Sequence, residues 1–539
     1  NIQNKLQFSK AFNPDNRLNA LLGMELRSST AKGTANKVWG YVPDRGERIV
    51  APTIPSEVIT PNNPPTGWGI LGDIYSRGWQ RTDNTNNFLS FFATFAYSFK
   101  NRYVVNANVR NDASNVFGQD INHRIDPTYS FGLSWRASEE AFFQKHLKWI
   151  TTLNFRGTFG IQGNALTRES PELILSQQGV QPGYNRYFST IGQIPNPYLS
   201  WERTRNWNFG VDLELFRMFY MNLEYYTRRS NAVITVDLPF EYGIDDMKRN
   251  GGIIYNRGIE YTLSFTPIQK RDFSLNINLN ASKNWNKGGE TKIDRNTAMY
   301  LRGGSTQILK EGYPLSAFWS YSFAGLDGSN GKPMFNYVEV PDEEKSKSID
   351  PTTYLVYSGE TEPYFTGGLG FSFRYKSLSL NTSFSLLLGS KKRLPSPYSD
   401  FQGSGSMMPD PTKNVNRDLL NRWQKPGDEV YTNIPGLPTW PIEIGWTLPN
   451  TDSAESAIEM WEKSDAMVVS GSFLRCRNIG LSWQMKKEWC DKIHAKNLAI
   501  NFNMDNIFVI ASKRFNGFDP ELENSIMPRS FSLGLNIGF

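Results

Sequence analysis

Cysteine and histidine are scarce in this chain of 539 residues. The two cysteines, Cys476 and Cys490, and the three histidines exclude a disulfide-rich scaffold and a metal site built from several cysteines. The patterns HExxH, CxxC and GxSxG and a phosphate-binding loop are also missing in any usable context. The sequence therefore predicts neither an enzyme nor a metal or cofactor site.

Long apolar runs are missing too, although the aromatic content is high. No stretch approaches the roughly eighteen apolar residues that a membrane helix needs, so a helical membrane protein is excluded. Aromatic residues make up 14% of the chain, which argues against disorder. The net charge of +6 is spread without a basic block, so nucleic acid is not predicted as a partner.

The dominant pattern has a period of two. In the C-terminal residues SFSLGLNIGF, apolar residues alternate with serine, glycine and asparagine, and the segments FSLNINLNA, LAINFNM and WNFGVDLEL behave in the same way. Successive side chains of a strand point to opposite faces, so each segment predicts a strand with one apolar and one polar face. The apolar set of the last strand is Phe531, Leu533, Leu535, Ile537 and Phe539.

Two architectures produce this alternation, a soluble β-sandwich and a membrane β-barrel. The predicted strands have about nine to thirteen residues, the length that a tilted membrane strand requires. The polar face is rich in Asn, Ser and Gly, which suits a crowded wet lumen, and aromatic residues cluster at strand ends. We therefore predict an all-β fold, a transmembrane antiparallel β-barrel whose apolar face meets lipid.

Predicted connections alternate between short turns and long loops, the largest loops lying at about 30–87, 163–203 and 390–468. Bacterial barrels place short turns in the periplasm and long loops outside. We count about seventeen strands, including one near residue 314 and a weak one near residue 333, whereas a complete bacterial barrel has an even number. We therefore expect residues 1–539 to be the C-terminal part of a larger barrel.

Nine segments, taken in order, carry a resemblance to a known family. The chain resembles the SusC/RagA family of TonB-dependent outer-membrane transporters of Bacteroidetes. The segments are FFATFAYSFKNRYVVNANVRNDAS, YSFGLSWRASEEAFF with LKWITTLNFRGTFGIQGN, NPYLSWERTRNWNFGVDLELF, NRGIEYTLSFTPIQKRDFS, EGYPLSAFWSYSFAGLDGSNGKPMF, EPYFTGGLGFSFRYKSLSL, SDAMVVSGSFLRCRNIGLSW, NMDNIFVIASKRFNGFDPE and SFSLGLNIGF.

The resemblance implies a barrel of about 22 strands with an N-terminal plug domain in its lumen. The plug and about five strands would then be missing from this chain. Implied partners are a SusD-like surface lipoprotein that closes the mouth as a lid, the TonB–ExbB–ExbD machinery acting through the plug, and outer-membrane lipid. A dimer of transporter–lid pairs is one assembly that it allows. Oligosaccharide is the leading cargo and peptide the alternative; a passive porin and an adhesin are the alternatives of another class.

Aromatic residues of the long loops are the candidate contacts to cargo or lid. Aromatic faces stack on sugar rings or peptide side chains, and large stable interfaces also favour Trp and Tyr. Packing of the loops on one another is the alternative role. The resemblance further implies that the apolar face of the last strand, ending at Phe539, is the barrel assembly signal. The loop candidates are Trp39, Tyr41, Trp68, Tyr75, Trp79, Tyr398, Phe401, Trp423, Trp440 and Trp446.

Overall fold

The computed structural model has fifteen strands joined in one antiparallel sheet. The structure describes residues 1–36, 41–42, 48–49, 79–115, 125–164, 172–181, 186–238, 240–244, 246–291, 298–302, 309–336, 351–398, 414–437, 457–522 and 525–539. The strands of the sheet are β1 (Ile2–Asn13), β2 (Asn16–Asn36), β3 (Trp79–Phe99), β4 (Tyr103–Ser114), β5 (Ile125–Arg136), β6 (Ile150–Asn164), β7 (Glu202–Leu215), β8 (Phe219–Asp237), β9 (Asp246–Gln269), β10 (Phe273–Gly288), β11 (Phe365–Tyr375), β12 (Leu378–Leu388), β13 (Phe473–Gln484), β14 (Asn497–Ala511) and β15 (Ser530–Gly538).

Each strand pairs with its neighbours in sequence, so the sheet is an antiparallel meander. Short and long connections alternate as predicted: only Pro14 and Asp15 separate β1 from β2, whereas 389–472 separates β12 from β13. The tight connections therefore all lie at one end of the strands, which we call the short-turn end. The large loops lie at the opposite end, which we call the long-loop end. Bacterial barrels place the short turns in the periplasm.

The predicted count of about seventeen strands is too high for this sheet, because two of them lie in the loops. The candidates near residues 314 and 333 correspond to Ala317–Tyr321 and Pro333–Phe335, and each pairs with another short loop strand. β10 pairs directly with β11, so neither candidate belongs to the sheet. Because two strands are removed from the count, the remaining strands still alternate in direction. Ala317–Tyr321 is buried at every position because packed loops surround it on both sides.

β2 and β3 extend beyond the part that apolar alternation marks. Each has 21 residues, and their ladder reaches Asn36 opposite Trp79. The loop predicted at 30–87 is therefore shorter at both ends. The end of β2, RSSTAKGTAN, lacks an apolar face because a strand that rises above the bilayer has no lipid to meet.

The remaining elements are short. None of the described helices has the length and hydropathy of a bilayer-spanning helix. Cys476 and Cys490 are buried free thiols. The small two-stranded sheets are Tyr41–Val42 with Arg48–Ile49, Ile174–Gln181 with Arg186–Gln193, Ala317–Tyr321 with Leu355–Glu360, Phe323–Leu326 with Pro333–Phe335, and Lys391–Arg393 with Val468–Ser470. The α-helices are Ala141–His146, Ala298–Leu301, Ala457–Glu462 and Lys487–Lys492, and the 3-10 helices are Ala137–Glu139, Phe240–Tyr242, Pro351–Thr353, Arg417–Asn421, Asp428–Val430, Asp465–Met467 and Lys513–Phe515.

The two faces of the sheet differ as the sequence predicts. Large apolar side chains on one face stay open to the surroundings: Leu133 and Phe209 are each 51% exposed. A sandwich would bury this face against a second sheet. The other face carries a polar network, in which Arg156 Nη2 donates to Asp212 at 3.2 Å and to Glu224 at 2.9 Å. This is the arrangement of a membrane barrel wall.

The buried hydrophobic core lies in the loops at the long-loop end. One cluster contains Trp319 and Tyr321, both 2% exposed, and a second contains Trp461, which is 1% exposed. The wall itself is one layer thick and is held by its hydrogen-bonded ladders, with lipid on one side and a polar lumen on the other. The loops therefore fold around their own core.

The face assignment predicts a difference between two substitutions in β15. Leu533 stands opposite Phe502 on the apolar face, and Asn536 stands opposite Ala499 on the other face. We expect Leu533→Arg to cost about 2–4 kcal/mol if it lies near the bilayer midplane, because a charge is then placed in hydrocarbon. Asn536→Arg should cost less, since the lumen is wet. Urea unfolding in lipid vesicles measures both, and the reverse order would contradict the assignment.

Candidate functional site

Three long connections, 289–364, 389–472 and 512–529, meet at the long-loop end through the parts of them that the structure describes. Tyr398 and Trp461 pack edge to face, with ring centroids 6.2 Å apart. The backbone N–H of Tyr321 donates to the carbonyl of Lys463 at 3.2 Å, which joins the first two connections. The described parts of these loops therefore form one packed body, which we call the loop lobe.

A buried arginine supports the loop lobe. Arg393 Nη2 donates to the carbonyl oxygen of Trp319 and to Ser320 Oγ, both at 3.1 Å, and its Nη1 donates to the carbonyl oxygen of Arg302 at 3.0 Å. Burial, with a smaller contribution from nearby Arg302, lowers the pKa of Arg393 to about 10. The side chain therefore binds backbone and hydroxyl acceptors of the neighbouring loop strand.

Tyr398, a predicted contact to cargo or lid, lies in the core of the loop lobe. It is 4% exposed, and its hydroxyl donates to the carbonyl oxygen of Pro435. Burial raises the pKa of Tyr398 well above its ordinary value. Loop packing, the alternative role, is the one that this position supports.

Trp423, a second predicted contact, also packs within the lobe. Its Nε1 donates to Glu429 Oε2 at 3.1 Å. Gly331, with φ of +72°, lies so close that a Cβ there would overlap the indole ring, and a Cβ at Gly436 would stand 3.0 Å from it. Trp423 thus holds the turn that begins at Asp327 against the loop after 414.

The segment that begins at Asp327 forms a tight turn, in which the backbone N–H of Gly331 donates to the carbonyl oxygen of Asp327 at 2.7 Å. The Asp327 carboxylate accepts hydrogen bonds from the backbone N–H of Ser329 at 2.8 Å and from Ser329 Oγ at 2.7 Å. These hydrogen bonds hold the pKa of Asp327 below its usual value. Asn330 Nδ2 donates to the second carboxylate oxygen at 3.2 Å.

The other aromatic candidates remain predictions. Tyr41 lies in a two-residue strand and Trp79 begins β3. The rest lie outside the described residues: Trp39, Trp68, Tyr75, Phe401, Trp440 and Trp446.

A cavity of about 640 Å³ opens in the loop lobe, between 394–397, 416–434, 461–467 and 513–518. We call it the lobe pocket. Its lining includes the buried side chains of Trp461, Met467 and Phe515, and the ring of Tyr431, which is 89% exposed. A recess that combines a largely polar accessible surface with an exposed aromatic ring has the form of a site for a small polar ligand.

Polar groups surround the lobe pocket. Arg417 and Lys513 line it, and both are exposed; their side chains form no hydrogen bond or ion pair with another described residue. By contrast, Arg514 donates to the backbone carbonyl oxygens of Val468, at 2.8 Å, and Ala466. Two cationic side chains are therefore available to a ligand.

A buried ion pair holds the third connection to the wall. Arg475 on β13 is 2% exposed, and its Nη2 lies 2.7 Å from both carboxylate oxygens of Asp519 and 2.9 Å from Glu521 Oε2. Arg477, two residues along β13, donates to Glu521 Oε1 at 3.1 Å. Sequence reasoning missed this site. The available signal was two arginines at alternate positions of a strand, followed by the acidic segment FDPE in the next loop.

Comparisons with known proteins agree with this architecture. The family model described as TonB dependent receptor-like, beta-barrel matches residues 4–383. SusC of Bacteroides thetaiotaomicron is 25% identical over 486 residues, which cover 84% of this chain and 44% of SusC. A TonB-dependent receptor of Formosa agariphila is 24% identical over 580 residues, covering 100% of this chain and 53% of the relative.

The solved structure of the RagAB peptide transporter shares the fold. Its TM-score is 0.72 at 21% identity, and the match covers 100% of this chain and 55% of that one. The chain thus spans about half the length of the relatives that it matches. Because the family model spans well over half of this sequence, the chain belongs to the TonB-dependent receptor β-barrel family of the outer membrane and is of the SusC/RagA type.

Proposed function

We propose that this chain is the barrel part of a TonB-dependent importer that carries oligosaccharides across the outer membrane. The lobe pocket carries the proposal, because it combines an exposed aromatic ring with cationic groups at the long-loop end of the wall. Tyr431 would stack on a sugar ring, and Asn421 and Asn433 would meet hydroxyl groups.

The importer would need partners. β1 and β15 each pair with one strand of this chain, and an unpaired strand edge is costly in hydrocarbon. We infer that polypeptide outside this sequence completes the barrel and supplies the plug through which TonB–ExbB–ExbD acts. A barrel of about 22 strands without a plug would be a wide channel. A SusD-like lipoprotein would cover the long-loop end as a lid.

Peptide is the second candidate cargo. Arg417 and Lys513 at the lobe pocket would bind the carboxylate groups of a peptide, and the structurally similar RagAB is a peptide transporter. Acidic sugars would use the same two cations. Identification of ligand that co-purifies with the transporter separates the two cargo classes.

The test measures uptake of a panel of fluorescent oligosaccharides by cells that produce the complete transporter and its lid. We expect uptake that stops when TonB is deleted, and a higher KM for Tyr431→Ala, which removes the exposed ring. Val430→Ala is the control, since Val430 is 76% exposed and does not line the lobe pocket.

Three results would change the proposal. Uptake that persists without TonB would indicate a passive porin. Transport of a matched panel of oligopeptides, with no oligosaccharide uptake, would favour the peptide alternative. Equal KM values for the Tyr431→Ala and Val430→Ala transporters would exclude the lobe pocket as a cargo contact.

A further inference from the structure

An apolar groove of about 570 Å³ lies on the outer face of the wall, across β4 to β8. Its walls include Tyr103 opposite Trp135, and Leu133 opposite Gly157. Tyr103 begins β4, and Trp135 is the penultimate residue of β5, next to the connection 137–149. The groove therefore lies at the short-turn end, at the periplasmic side of the bilayer.

Gly157 lines the groove and leaves a gap among its larger neighbours because it has no side chain. Phe155 and Phe159 precede and follow it on the same face, and Leu133 and Phe209 stand opposite it on the adjacent strands. A Cβ at Gly157 would meet the Phe209 ring at 3.7 Å, an ordinary van der Waals contact, so a side chain can be added beside that ring without a clash. The row of large apolar side chains therefore has one gap, at Gly157. A gap of one residue suits a slender apolar ligand.

Polar atoms of the groove are gathered at its lower edge. The Tyr103 hydroxyl donates to Glu140 Oε1 at 2.6 Å, and Trp135 Nε1 donates to the same oxygen at 3.3 Å. Arg102 Nη1 donates to Glu140 Oε2 at 3.0 Å. Trp135 stacks on Phe155 with centroids 5.6 Å apart. Aromatic residues with one polar and one apolar end are typical of the membrane interface, so this edge marks headgroup depth.

The connections below this edge are positively charged. Lys145 and Lys148 are exposed, and their side chains form no hydrogen bond or ion pair with another described residue. The basic residues of turns 100–102 and 137–149 outnumber the acidic ones; they are Lys100, Arg102, Lys145 and Lys148 against Glu139 and Glu140. Unpaired lysines at headgroup depth attract anionic lipid.

We propose that this groove is a binding site for one anionic phospholipid of the periplasmic leaflet. One acyl chain lies over Gly157 between Leu133 and Phe209. The phosphate group lies near Lys145 and Lys148. A slender chain fits the notch that the glycine leaves, and the two lysines favour a negatively charged headgroup over a zwitterionic one.

The experiment is native mass spectrometry of the complete transporter complex, titrated with phosphatidylglycerol or phosphatidylethanolamine. Gly157→Leu places a side chain in the notch and should weaken binding of one phosphatidylglycerol about tenfold, the effect of displacing about two methylene groups. Ala281→Leu, which adds a similar side chain on the outer face away from the groove, should leave binding unchanged. Lys145→Gln combined with Lys148→Gln should remove the preference for phosphatidylglycerol.

Fold and assembly are checked in the same samples. Heat-modifiable gel mobility should be unchanged in Gly157→Leu, because a leucine on a lipid-facing strand is compatible with the wall. Unchanged phosphatidylglycerol binding in Gly157→Leu would overturn the proposal. A change in oligomeric mass without loss of lipid would also overturn it, because the groove would then be the contact for a second copy of the barrel.

Discussion

Deletion of residues 530–539 is expected to abolish insertion of the chain into the outer membrane. β15 covers β14 from Asn497 to Asp505, and its loss leaves the edge of β14 open. Each N–H and C=O group of that edge would face hydrocarbon without a partner, at a cost of several kcal/mol. The deleted segment also carries the apolar face of β15, where Phe531 is 66% and Phe539 76% exposed. This face has the features of the predicted assembly signal.

The measurement is the amount of protein in the outer-membrane fraction, together with its heat-modifiable gel mobility. The control keeps β15 and its apolar face but replaces the inward-facing Ser532 and Asn536 with alanine, and it should insert normally. Wild-type levels of the deletion variant in the membrane would show that β15 is dispensable for closure.

Replacing Arg475 with methionine should loosen the connection 512–529 by about 3–5 kcal/mol, the usual cost of removing one partner from a buried ion pair. Asp519 is 4% exposed, so its carboxylate would be left buried without its cation. Arg475 also donates to Met527 Sδ at 3.3 Å, which adds a second attachment to the same loop.

Arg477→Met is the matched control. Arg477 pairs with Glu521 from a side chain that is 46% exposed, and exposed pairs are worth about 1 kcal/mol at most. Hydrogen exchange of residues 512–529 in the detergent-solubilised complex measures both variants. Equal protection in the two variants would mean that the buried pair does not anchor the loop.

Period-two alternation was sufficient to predict the membrane part of the wall. β10 and β15 follow their apolar patterns closely, since lipid on one side and a polar lumen on the other select each alternate residue. The pattern fails where that asymmetry ends. β2 and β3 continue with polar residues on both faces, and Ala317–Tyr321 is buried on both faces. Neither part therefore shows the alternation of apolar and polar residues from which strands were predicted.

The candidate site was less predictable. Tyr398 and Tyr431 belong to the same long loop, yet one is 4% exposed and the other 89%. No local pattern separates them, because burial in the lobe depends on contacts with residues far along the chain, such as Trp461 against Tyr398. The ion pair of Arg475 with Asp519 joins residues 44 positions apart for the same reason.

Because the buried core lies in the loops rather than in the wall, the two parts of the molecule are stabilised in different media, the lobe in water and the wall in lipid. Burial of Trp319, Tyr321 and Trp461 away from water stabilises the lobe, so chaotropic agents act on it directly. The wall relies on lipid at Leu133, Phe209 and similar side chains, so the choice of detergent acts mainly there. We therefore expect each part to have its own denaturation transition, so that substitutions can reshape the lobe for a new ligand while the barrel wall keeps its stability.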